Sequence, residues 1–172
     1  MNPISFGQAK LSDALRISVL LQTVYIQTYD IAGITIESAN YVSTTFALKR
    51  IETLIMQQPN RFIVAYHKEN VVGVAEIIYD SICPIRKLAL PELGKLYVLE
   101  HFKGKGIGYG LLNEVEKEVL NHGFKEFWFY VYIHNLRAVA FYERQGYASI
   151  GIADYKMEHN TYKNYVMNKV LG

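Results

Sequence analysis

Apolar residues recur along this chain first at helical spacing, then in alternating runs, and the order of these patterns outlines a mixed α/β protein. Ile4 to Ala9 reads as a first strand. Ser12 is placed to cap a helix running to about Tyr29, with Leu15, Ile17, Leu21 and Val24 on its inner side. After the loop IAGITIE, Ser38 or Asn40 opens a second helix in which Leu48, Ile51 and Ile55 repeat, and Pro59 closes it. Phe62 to Tyr66 and Val71 to Tyr79 form a hairpin around Lys68 to Asn70, and residues 80–92, with Pro84 and Pro91, read as an exposed crossing loop. Leu93 to Leu99 is the next strand. The helix after it carries Ile107, Leu111, Val115 and Val119 at every fourth position and ends at Gly123, the residue expected in a left-handed cap. The nearly continuous apolar run Phe127 to Ile133 predicts a central strand covered on both faces. A short helix from Asn135 to about Gln145, a strand from Tyr147 to Met157, a turn near His159 and a last strand from Tyr165 to Val170 complete the chain. With no repeat, linker or low-complexity segment, residues 1–172 read as a single domain.

The segment Leu93 to Gly110, LGKLYVLEHFKGKGIGYG, adds chemistry to this outline, because a strand runs into Gly104, Gly106 and Gly108 and then directly into a helix. Glycines allow the backbone to approach a ligand closely, and the first turn of a helix offers unpaired N–H groups at the positive end of its dipole. An anionic, phosphate-bearing ligand fits that arrangement. The dinucleotide fingerprint does not, since its third glycine would fall on Tyr109 or Leu111, and Glu126 precedes the following strand instead of ending it. The nucleotide P-loop lacks its Gly-Lys-Ser/Thr ending.

Lys103, Gly104, Lys105, Gly106, Ile107 and Gly108 resemble the acyl-CoA loop of the GNAT N-acetyltransferase superfamily, whose pattern is Arg or Gln, two residues, Gly, one residue, Gly or Ala; Lys103 is the departure. The segment HNLRAVAFYERQGY is similar to a second block of that family through Asn135, Ala138, Phe141, Tyr142, Gly146 and Tyr147. The two blocks cover roughly residues 92–147. The resemblance implies a mixed, strongly bent central sheet of about seven strands flanked by helices, with acetyl-CoA held where the strands Leu93 to Leu99 and Phe127 to Ile133 splay apart. It also implies that backbone groups of Tyr97, Val98 and Leu99 meet the pantetheine arm and polarise the acetyl carbonyl, and that Asn135 hydrogen-bonds the pantetheine. Residues 103–108 would cradle phosphates, with Lys105 and Arg144 near phosphate oxygens. ELGKLYVL, AVAFYERQGY and the tail DYKMEHNTYKNYVMNKVL look most like the PaiA-type spermidine/spermine acetyltransferases, which implies a primary amine acceptor such as a polyamine or another small alkyl amine.

Acetyl transfer to an amine needs a base, because an alkyl ammonium with a pKa of about 10 is mostly protonated at neutral pH, and it needs donors for the carbonyl oxygen and the leaving thiolate. Glu92 aligns with the glutamate that several GNAT enzymes use as base, and Glu76 is the second carboxylate that fits; the plain alternative for Glu92 is a surface carboxylate after Pro91. Tyr142 is the acid toward sulfur by resemblance, or else a buried tyrosine that orients the thioester. Asn135 equally suits an N-cap, Arg144 an exposed helix arginine and Lys105 an outward-pointing side chain. Asp30, Glu37, Glu76 and Asp80 are acidic residues available near the expected acceptor mouth. The alternatives to a small-amine enzyme are a protein N-terminal or lysine acetyltransferase, and a non-catalytic acyl-CoA sensor of the same fold.

Composition narrows the partners. A net charge of +2, with its basic residues scattered, argues against nucleic acid. Cys83 is the only cysteine, so no internal disulfide and no CxxC site is possible, which favours a reducing compartment. The N-terminal MNPISFGQAK lacks a long apolar run and no stretch reaches bilayer length, so a cytoplasmic protein that does not bind membranes is expected, monomeric or homodimeric. His67, His101, His122, His134 and His159 show no metal-ligand spacing, and no metal is expected. The 14 tyrosines exceed what a core of this size needs, so some are expected to line a cleft or an oligomer surface unless they simply populate half-buried sheet faces.

Overall fold

In the computed structural model, which describes residues 4–172, alternating and apolar runs become seven strands and the helical stripes become five helices. In chain order they are β1 (Ile4–Gln8), α1 (Ala14–Tyr29), α2 (Ile36–Thr45), α3 (Leu48–Gln57), β2 (Phe62–His67), β3 (Asn70–Ile78), β4 (Glu92–Val98), α4 (Ile107–Asn121), β5 (Glu126–Tyr132), α5 (Leu136–Arg144), β6 (Ala148–Lys156) and β7 (Thr161–Val170). The strand order in the mixed sheet is β1-β2-β3-β4-β5-β7-β6. The chain divides into two units: one is the segment up to Glu76 with Lys95–Val115, the other Ile77–Gly94 with Glu116–Gly172.

In the first unit, β1 pairs antiparallel with β2, and β2 with β3, through the expected hairpin, in which Lys68 takes the left-handed conformation at φ 59°. Asp13, and not Ser12, organises the start of α1. Its carboxylate accepts the Lys10 N–H at 2.8 Å and the Tyr66 hydroxyl at 2.7 Å and pairs with Arg16, so a carboxylate only 1% exposed has its charge compensated. Ile17, Leu20, Leu21 and Val24 form the buried stripe of α1, whereas Leu15 stands 58% exposed, outside the inner face predicted for it.

The single helix expected after residue 37 is two. Thr35 caps α2 by accepting the Ser38 N–H at 3.1 Å, and the helix stops where Phe46 turns into the core. The Phe46 carbonyl accepts the Ser18 hydroxyl at 2.5 Å, and Ala47 is extended (φ −55°, ψ 136°) before α3 begins. A buried aromatic ring and a carbonyl diverted to another helix thus override a continuous apolar period. Pro59 ends α3 as expected, with Gln58 outside the helical region at φ −138°.

Ile107, Leu111, Val115 and Val119 of α4 are all buried, and Gly123 closes the helix at φ 82°. Near the start of α4 a side chain at Gly110 would meet the Phe6 ring at 2.3 Å, so glycine lets helix and strand approach.

In the second unit β5 lies parallel to β4 with Glu92 opposite Trp128, and antiparallel to β7, which pairs along its length with β6. Phe127, Trp128 and Phe129 are essentially inaccessible, and burial of each such side chain stabilises the fold by about 1.5–3 kcal/mol. Residues 81–90 are not a plain exposed crossing. Ile82 bridges Ala89, the Leu90 N–H donates to the Ser81 carbonyl at 3.0 Å, and Cys83 is fully buried against Trp128 and Val166. The only thiol of the chain is therefore a core group that anchors the crossover.

Candidate active site

The glycine loop belongs to the first unit. Gly104 (φ 74°) and Gly106 (φ 78°) both occupy the left-handed region, and a Cβ built on either would find nothing within 4 Å. Glycine is required here by backbone conformation, unlike at Gly110, and the open side of the loop faces no protein atom at that range. An open loop of positive-φ glycines leading into the N-terminus of a 15-residue helix suits a polyanion such as the phosphates of CoA. Ile107 pins the helix start in the core, 1% exposed, so its contribution to a ligand is its backbone alone. Lys103 Nζ pairs with Glu100 at 2.5 Å, and Lys105 Nζ lies 5.0 Å from the centroid of the Phe102 ring. Both lysines thus have local partners, one a carboxylate and the other an aromatic ring.

Tyr97, Val98 and Leu99 lead into this loop. Leu99 donates its N–H to the Val72 carbonyl at 3.0 Å, and the Tyr97 carbonyl points toward Gly73, so these two residues address β3. Alternate residues of a strand address opposite edges, which assigns the backbone of Val98 to the other edge. The Tyr97 side chain joins a cluster with Tyr25, Tyr29 and Tyr41, in which the Tyr25 ring lies 4.9 Å from both Tyr29 and Tyr41. Burial, then the neighbouring phenols, then a hydrogen bond with Tyr29 push its ionisation well above the ordinary tyrosine range. Asp30, which follows Tyr29, carries a buried Oδ2 without a hydrogen-bond partner.

Glu76 is buried in the first unit, and its Oε1 accepts from Arg61 Nε at 2.9 Å and Nη2 at 2.7 Å, so the second candidate carboxylate is engaged in an ion pair. Glu37 is also buried, in the first turn of α2, while Asp80 is exposed.

The second unit holds Glu92, Asn135, Tyr142 and Arg144. Glu92 is the first residue of β4 and half-buried; Ser81 Oγ donates to its Oε2 at 2.5 Å. Tyr130 is close enough for the Glu92 charge to act on it: burial foremost, then Glu92, Tyr155 and Cys83, raise its ionisation. Trp128, beside Glu92 in the ladder, buries an indole Nε1–H without a partner. Tyr142 is buried with its ring 4.4 Å from Phe129 and 5.1 Å from Phe141. Asn135 caps α5, its Oδ1 accepting the Ala138 N–H at 3.2 Å, so its amide NH2 is the end suited to a ligand. Arg144 is exposed in the last turn of α5, where a cation also complements the helix dipole. Sequence reasoning overlooked Ser81 and Tyr130. Tyr130 lay unremarked in an apolar run, and Ser81 becomes a partner of Glu92 only through the fold of the crossover.

Residues 29–147 match the model of the acetyltransferase (GNAT) family. The chain belongs to that family. Its relatives include an uncharacterized N-acetyltransferase of Chlorobaculum tepidum, 31% identical over 121 residues that make up 70% of this chain and 71% of the relative. Among solved structures, the PaiA N-acetyltransferase from Thermoplasma acidophilum in complex with coenzyme A superposes with a TM-score of 0.75 at 18% identity, over 98% of this chain and 99% of that one. The ribosomal-protein-alanine N-acetyltransferase from Brucella melitensis gives a TM-score of 0.72 at 20% identity, over 97% and 99%. This GNAT protein is an acetyl-CoA-dependent N-acetyltransferase with the mixed seven-stranded fold of the family. Among the described residues no helix is long and apolar enough to cross a membrane, and no group of His, Cys, Asp and Glu is arranged to hold a metal.

Proposed function

We propose that this N-acetyltransferase acts on the primary amine of a small cationic acceptor, a polyamine or another alkyl amine, with Glu92 as the base and Tyr142 as the acid. The observation that carries the choice of base is the contrast between the two candidate carboxylates. Glu76 is paired with Arg61, while Glu92 is half-buried and accepts the Ser81 hydroxyl. The cationic acceptor is supported by the buried Asp30 Oδ2 without a partner, on the residue that follows Tyr29 of the tyrosine cluster, since carboxylates and tyrosine faces both favour ammonium groups.

Acetyl-CoA supplies an acyl group on a thiolate leaving group. On this reading Glu92 takes the proton of the acceptor ammonium, and the neutral nitrogen forms a bond to the acetyl carbon. The Val98 N–H receives the carbonyl oxygen as negative charge gathers on it. The carbon–sulfur bond then breaks, the Tyr142 hydroxyl protonates the departing sulfur, and the second proton of the now cationic nitrogen passes through solvent to the Tyr142 phenolate, leaving a neutral amide, free CoA and a restored tyrosine. Amides of residues 104–108, with Asn135, Lys105 and Arg144 as further contacts, bind and orient the cosubstrate.

CoA release measured across monoamines, diamines, polyamines and peptides with a free N-terminus tests the acceptor. Turnover highest with the di- and polyamines is expected. Preference for peptides with a free N-terminus would replace the small-amine reading with a protein acetyltransferase, and binding of acetyl-CoA without release on any amine would replace it with a sensor.

A further inference from the structure

We infer that Ser81 is a positioning residue for catalysis, whose hydroxyl orients the Glu92 carboxylate and holds it in its charged form; the inference rests on Glu92 being the base. The Ser81 Oγ–H donates to Glu92 Oε2 at 2.5 Å across eleven residues of sequence. That donor is itself fixed from both sides. The Ser81 carbonyl accepts the Leu90 N–H at 3.0 Å, Ile82 bridges Ala89, and the Cys83 N–H reaches the Leu88 carbonyl at 2.9 Å, while the Cys83 side chain is sunk against Trp128 and Val166. The crossover is therefore fastened to the same sheet face on which Glu92 and Trp128 stand side by side, with its hydroxyl aimed at the carboxylate.

Tyr130 of β5, Tyr155 of β6 and the Cys83 thiol lie on this face, and so does the ion pair of Arg86, from the crossover, with Glu126 at 3.4 Å, Arg86 also reaching Asn168, the partner of Trp128 in the ladder. Tyr130 has its ionisation raised by burial first and then by the Glu92 charge. A hydroxyl donor favours the charged carboxylate and lowers its pKa, and a fixed donor also restricts the carboxylate to one orientation toward an incoming ammonium.

The test follows the pH dependence of kcat/KM in the full chain with the best amine of the panel. Ser81→Ala removes a bond to the charged form, so the acidic limb should move to higher pH by about half to one unit, with kcat down several-fold. Ser81→Thr keeps the hydroxyl and should restore both, and Ser81→Cys, a weaker donor, should fall between. A carbon-13 NMR titration of the Glu92 carboxyl in wild type and Ser81→Ala should show the same displacement without any turnover. An unmoved acidic limb and an unmoved NMR titration in Ser81→Ala, with only a lower melting temperature, would make Ser81 a structural residue and overturn the inference. Glu92→Gln separates the two levels. If it leaves the acidic limb intact, the base reading itself is wrong and this inference falls with it; if it abolishes the limb while Ser81→Ala does not move it, only the role of Ser81 is lost.

Discussion

Tyr142 sits with its ring against Phe129 and Phe141 and its hydroxyl as the only group that phenylalanine would lack. Tyr142→Phe should therefore leave the packing and the apparent KM for acetyl-CoA nearly unchanged while lowering kcat on the order of ten- to a thousand-fold, read from steady-state CoA release. Equal kcat in the two proteins would reduce Tyr142 to a packing residue. Glu92→Gln should lower kcat/KM at neutral pH and recover part of the loss as pH rises, or with an acceptor of lower pKa, because more of the amine is then already neutral. A uniform loss with no recovery would place proton removal elsewhere. The motif residues behind these expectations were legible in sequence because they are local: Asn135, Phe141, Tyr142 and Gly146 lie within one helix and its ends. The pairing of Glu76 with Arg61, 15 residues away along the chain, was not legible, because it is made by the packing of separate segments.

Two glycines of one loop-and-helix element separate ligand binding from packing. Gly106 holds a positive φ beside open space, so Gly106→Asp should weaken acetyl-CoA binding by at least tenfold in calorimetry, through a side chain and a negative charge added where phosphates are expected, together with a modest strain at φ 78°. Gly110 needs no special φ, but a Cβ there would stand 2.3 Å from Phe6; Gly110→Ala should cost about 1–3 kcal/mol in denaturant unfolding and act on affinity only through that loss. If Gly106→Asp bound acetyl-CoA normally while remaining folded, the cradle assignment would fail. The α4 stripe was readable from spacing alone because every fourth residue faces the core. The break between α2 and α3 was not, since Leu48, Ile51 and Ile55 continue the period set before it while buried Phe46 and the Ser18 hydroxyl decide where the backbone turns.

Several tyrosines distributed through both units make the whole molecule sensitive to alkali. Tyr97 is raised well above its ordinary value chiefly by burial; Tyr147 by burial and its bond to Glu116, 2.8 Å away; Tyr66 by burial and its bond to Asp13. Each is a group whose folded pKa exceeds its unfolded value of about 10, so the stability it confers is fully present below that pH and is lost as pH rises toward the folded pKa, because the unfolded chain ionises first. Melting temperature should be flat in this respect from pH 7 to 9 and fall above about pH 10. Tyr147→Phe should shallow that fall. A melting temperature that does not steepen above pH 10 would mean these hydroxyls ionise as readily folded as unfolded.

By itself the sequence determined what depends on short-range periodicity and on backbone stereochemistry: the order of the strands and helices, the hairpin at Lys68, the buried face of α4, the glycine loop with its positive φ angles and the Asn135 cap. Those features arise from residues a few positions apart, and steric rules act at that range whatever the rest of the chain does. Only the tertiary structure decided which polar groups would find each other. Arg61 neutralises Glu76, Asp13 gathers Lys10, Arg16 and Tyr66, and the folded-back crossover buries Cys83 and delivers Ser81 to Glu92. A buried charge must be compensated by whatever donor the packing brings within about 3 Å, and that donor is chosen by the path of distant segments, which no local pattern records.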